Sequence, residues 1–116
     1  MRLRLALLTL TLMLLVPQPA EASNRGTRIA MAVALLDVAE DHCAGRFQVN
    51  AYVKKVLFEH FHEYDIAGLA SLLSQPLNSF YEDFAFEAKK DRKAFCSKAP
   101  DEAEATGYPV ITAREP

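Results

Sequence analysis

Two cysteines and one short histidine-rich stretch carry most of the side chains in this 116-residue chain that could do chemistry. Cys43 and Cys96 lie too far apart for a C-x-x-C redox pair, and neither has the closely spaced partners of a zinc site. In an oxidising compartment such a pair forms a disulfide, and two cysteines allow a single intramolecular pairing. Closing a loop of about 54 residues would restrict the unfolded chain by about 4 kcal/mol in the chain-entropy model. The second feature is Glu59-His60-Phe61-His62-Glu63-Tyr64-Asp65. On a helix His60 and His62 point about 200° apart and cannot share an ion, whereas Glu59 can share a side with His62 or Glu63. That gives two ligands at most, so no metal site is assigned unless His42 or acidic residues of another helix join it. His60 falls near the middle of an apolar helix face, which makes it the candidate pH switch: a histidine buried neutral must take up a proton on acidification. Ser71, Ser74, Ser79 and Ser97 have no G-x-S-x-G turn and no adjacent histidine, and pairs such as Glu82-Asp83 are ordinary on a solvated face. The expectation is a protein without catalytic residues or cofactor.

Apolar periodicity identifies the elements that must position these residues. Ala32, Leu35, Leu36, Ala39 and Cys43 recur at helical spacing, with Asp37, Glu40 and Asp41 opposite, and predict a central first helix from about Thr27 to Cys43. A second helix, starting between Phe47 and Asn50 and ending near Tyr64, turns Val49, Tyr52, Val53, Val56, Leu57 and Phe61 inward. Asp65 can cap a short third helix with Ile66, Leu69, Ala70 and Leu73 inward, interrupted at Ser74-Gln75-Pro76. The last helix carries Leu77, Phe80, Tyr81, Phe84, Ala88 and Phe95 and stops before Pro100, with Lys89-Lys90-Asp91-Arg92-Lys93 in its final turns, where cations suit the macrodipole. With Cys43 at the end of the first helix and Cys96 at the end of the last, a regular up-down-up-down bundle would hold the two at opposite poles. Such a bundle is disfavoured. The fold class is therefore all-α, a small four-helix or kinked three-helix domain closed by one disulfide.

Around this domain the chain divides into three parts. Arg2 and Arg4, the uncharged run Leu5 to Val16 and Ala20-Glu21-Ala22 have the form of a signal peptide over residues 1–22, and the run is too short for a comfortable membrane anchor. Residues 23–98 form the helical domain, and 99–116, rich in charge, proline and glycine, read as a flexible tail. Without Arg2, Arg4 and Glu21 the 13 basic and 15 acidic residues become 11 and 14, a net charge of −3. An acidic surface gives no electrostatic reason to bind nucleic acid or anionic lipid. The expected location is the periplasm or the exterior, with no stable membrane anchor after cleavage.

Phe58 and Phe86 fall on the wheel positions opposite the apolar faces of their helices and should be exposed. Exposed aromatics often anchor interfaces, so these two are the candidate partner-binding residues, toward another protein or a second copy. In layout, the export signal, short helices and widely spaced cysteine pair resemble the small acid-activated chaperones of the bacterial periplasm. That resemblance implies a pH-responsive holdase and, resting on no motif beyond the cysteines, implies no functional residue. The leading expectation is a non-catalytic exported protein that acts by protein-protein binding. The alternatives are an acid-responsive periplasmic chaperone and a periplasmic metal-binding protein built on Glu59 and His62.

Overall fold

The computed structural model describes residues 19–114 and contains four helices and a two-stranded ribbon among them: α1 (Pro19–His42), β1 (Phe47–Val49), α2 (Ala51–Ile66), α3 (Ser71–Lys90), α4 (Arg92–Ala105) and β2 (Ile111–Ala113). The apolar run of the expected signal peptide lies outside the described residues, while Ala20-Glu21-Ala22 are backbone of the first turns of α1. No helix among the described residues is long and apolar enough to cross a membrane.

The all-α class and its cross-link hold. Cys43 and Cys96 form a disulfide with their Cα atoms 5.5 Å apart. Around it, α1 is the central element: Ile29, Ala30, Ala32, Ala34, Leu35, Leu36, Val38 and Ala39 are all buried. Small side chains on several faces let neighbours close in from different directions, and alanine is also the best helix former. One close approach is at Gly26, where a Cβ would meet the Tyr64 ring at 3.2 Å and the Leu72 carbonyl oxygen at 3.5 Å.

The helix boundaries differ from expectation in several places: α1 begins at Pro19 rather than near Thr27, and two further differences, at Gly68 and Asp91, have local causes. No short helix begins at Asp65. Instead α2 runs on to Ile66 and ends in a left-handed cap at Gly68 (φ 75°), with the Leu69 amide donating to the Tyr64 carbonyl and the Gly68 amide to that of Asp65. This is the Schellman pattern that glycine allows because it has no Cβ to strain. Ile66, Leu69 and Ala70, expected inward, sit on that turn and are exposed, as is Tyr52 earlier on α2. A single helix α3 then runs through Pro76 to Lys90. Proline cannot donate to the carbonyl four residues back, that of Leu72, and this is the carbonyl lying against Gly26.

The second difference is at Asp91, whose backbone leaves the helical region and whose carboxylate accepts from the Ala94 amide at 3.1 Å, capping a separate α4. Lys89 and Lys90 do end a helix, but Arg92 and Lys93 begin the next. Cys96 is thus in the opening turns of α4, and the rejected topology is the one adopted. Ion pairs at 3.6 Å between Lys54 and Glu40 and at 3.9 Å between Arg25 and Glu63 show α2 antiparallel to α1. The start of α3 meets the start of α1 at Gly26, and α4 returns from the Cys43 pole. In that up-down-up-down order the end of α1 and the start of α4 share a pole. Phe80, Phe84 and Phe95 pack in a row between α3 and α4, successive ring centroids 6.1 Å apart.

The expected flexible tail is instead folded. α4 continues through Pro100 to Ala105, and Thr106, itself buried, turns the chain: its hydroxyl donates to the Ala103 carbonyl at 2.6 Å and accepts from the Tyr108 amide at 3.1 Å. Val110 and Ile111 are fully buried, and β2 pairs antiparallel with β1 in the register Phe47↔Ala113, Gln48↔Thr112, Val49↔Ile111. The Asn50 amide donates to the Val110 carbonyl at 2.8 Å, so the ribbon leads directly into the N-cap of α2. Residues 99–114 therefore belong to the domain.

Candidate functional site

α2 is the least covered helix. Of its 16 residues only Leu57 and Tyr64 are buried, and it packs mainly on α1. Leu57 is held on the inner side, which turns Phe58, one residue and about 100° on, toward the edge of the contact. Phe58 is 43% exposed and borders a groove of about 240 Å³ whose floor is Val33 and Leu36 of α1, rimmed by Asp37, Glu40 and Lys54. The groove thus sets an aromatic ring beside an apolar floor with a charged rim. The Lys54–Glu40 pair is solvent-exposed and contributes little to stability.

Phe86 is 67% exposed on α3, facing away from the Phe80, Phe84 and Phe95 row. It sits two residues after buried Phe84, about 200° around the helix. Both candidate anchors are therefore on the surface, each on a helix whose opposite side is fixed in the core.

His60 lies elsewhere. It is half-buried rather than in the core, with Nδ1 2.7 Å from the Tyr108 hydroxyl and the two rings edge to face at a centroid distance of 5.6 Å. Its partner comes from the segment that composition marks as tail, where the small apolar cluster Tyr108-Pro109-Val110-Ile111 is the one local sign of it. Glu59 and His62 are exposed on α2, and among the described residues no group of three or more histidine, cysteine, aspartate or glutamate side chains is placed to hold a metal ion.

The titratable group that sequence reasoning missed is Glu102, because it was assigned to a solvated tail. On α4 its Oε2 is buried without a hydrogen-bond partner among the described residues. Burial raises its carboxyl pKa above the ordinary 4.5, the Glu87 carboxylate raises it further, and Lys98 partly offsets both. The native state then holds this proton more tightly than the unfolded chain, so the Glu102 contribution to stability grows as pH falls toward the raised pKa and is lost as pH rises through it. Glu102→Gln is expected to raise the melting temperature at pH 7 and to show a smaller gain on acidification toward pH 5 than the wild type. Thermal melts at the two pH values check this, and parallel wild-type and variant curves would exclude it. The sign is opposite to that of an acid-triggered loosening.

The fold and its surfaces define a small disulfide-closed helical domain with the exposed aromatic side chains Phe58 and Phe86. The chain matches no protein-family model, curated protein or solved structure with which it was compared.

Proposed function

We propose that this is a non-catalytic exported protein that acts by binding another protein, with Phe58 and Phe86 as anchors. The observation that carries the reading is the exposed Phe58 ring at the edge of the Val33–Leu36 groove, since aromatics in partly formed pockets are where binding energy concentrates. Export is supported by the Cys43–Cys96 disulfide, which fits an oxidising, non-cytoplasmic compartment, and by the signal-like pattern of residues 1–22. The periplasm is the specific location proposed.

The test is affinity capture from periplasmic extract with the tagged wild type and the Phe58→Ala and Phe86→Ala variants. Both phenylalanines are exposed, so each variant should melt close to the wild type, far from the roughly 3–5 kcal/mol lost on truncating a buried phenylalanine. A partner retained by the wild type and lost from at least one variant of unchanged stability is the expected result. A partner held equally by all three, or capture of none, overturns the proposal.

A further inference from the structure

A second groove, of about 440 Å³, opens between the N-terminal part of α1, the Tyr52 to His60 face of α2 and the turn that follows α4. Val53 and Val56 give it an apolar wall, Arg25 and Arg28 stand on the α1 side, and the hydrogen-bonded His60–Tyr108 pair supplies polar ring edges. The two arginines are three residues apart and share a helix face. Arg25 has one long contact, 3.9 Å to Glu63, with both side chains about half exposed. Arg28 is exposed, and its side chain has no ion pair or hydrogen bond among the described residues. Two guanidinium groups with one loose counter-charge thus meet at a groove on a chain whose net charge is negative.

Guanidinium presents a planar fork that matches a carboxylate through two parallel hydrogen bonds. Small-molecule sites of a few hundred Å³ are mostly apolar, with a few polar groups that fix orientation. We infer that this groove binds a small organic acid, its carboxylate on Arg25 and Arg28 and its apolar body along Val53 and Val56. The apolar wall favours such a ligand over a compact inorganic anion, whose charge would be held equally well without it. This site is separate from the Phe58 groove and does not depend on the protein-binding proposal.

Calorimetric titration of the purified protein with 2-naphthoate, its neutral analogue 2-naphthamide and inorganic phosphate tests the inference. The naphthoate should bind, with the amide and phosphate each at least about tenfold weaker. Arg28→Gln, which removes no ion pair or side-chain hydrogen bond among the described residues, should weaken naphthoate about tenfold or more at an unchanged melting temperature, and Arg46→Gln, in the turn before β1, should bind like the wild type. No naphthoate binding at millimolar concentration overturns the inference. So does equal binding of the amide or phosphate, an unchanged affinity in Arg28→Gln, or an equal loss in Arg46→Gln.

Discussion

Cys96→Ser is expected to lower the unfolding free energy by about 4 kcal/mol, measured by denaturant titration against the oxidised wild type. The figure comes from the entropy that a cross-link spanning 53 residues removes from the unfolded chain. It is a large part of the 5–15 kcal/mol typical of a whole domain and corresponds to a melting-temperature loss of about 15 °C or more at this size. Location adds to the effect, since the bond ties the end of α1 to the start of α4 at the pole where β1 also begins, and both cysteines are buried. Ellman titration of the denatured, unreduced protein should find no free thiol. Two titratable thiols, or a Cys96→Ser variant as stable as the wild type, would contradict the cross-linked fold.

Removing residues 108–116 is expected to cost at least as much. Val110 and Ile111 are fully buried, and truncating one buried isoleucine to alanine alone costs about 2–5 kcal/mol. The deletion also leaves β1 without its pairing strand, frees the Asn50 amide at the start of α2 and takes Tyr108 from His60. The shortened chain should lose its cooperative melt by circular dichroism, and Ile111→Ala should retain a cooperative melt at lower temperature. A deletion variant that melts with the wild type would return this segment to the status of a tail.

What the sequence revealed and what it concealed follow from the range of the interactions involved. The central helix was legible because its apolar spacing and alanine content are local signals, and the disulfide because two cysteines permit one pairing. The exposure of Phe58 and Phe86 followed from the same helical geometry. The ends of helices were harder to read. Pro76 and Pro100 read locally as boundaries, but a proline removes one hydrogen bond that tertiary packing can outweigh, and both lie inside helices. Asp91 lies within a run of charges, with nothing nearby to mark it as a cap until Ala94 is seen against it. Missing that break moved Cys96 from the start of one helix to the end of another and so reversed the choice of topology. Gly68, able to take a positive φ, is the local signal for the end of α2. The C-terminal strand was hidden for a different reason. Its two buried residues, Val110 and Ile111, form only a short apolar cluster in an otherwise polar segment, and their pairing reaches back to Val49 and Asn50, a contact that no local window contains.

The same distinction applies to the surfaces. Phe58 could be placed on an outer face from the sequence, but the apolar floor beside it comes from α1 and required the packing of two helices. The Arg25–Arg28 groove depends on α1, α2 and the turn after α4 together, and the partial burial of the Glu102 carboxylate follows from α4 extending past Pro100.

The proposal that this protein works through its exposed aromatics is tested most directly by photo-crosslinking in living cells, with p-benzoylphenylalanine placed at position 58, at position 86 and, as a control, at the exposed polar position Glu82. A discrete protein adduct from 58 or 86 that is absent from 82 is the predicted result, whether the partner is another protein or a second copy of this chain. The absence of adducts at 58 and 86, or the same adducts from all three positions, would contradict it.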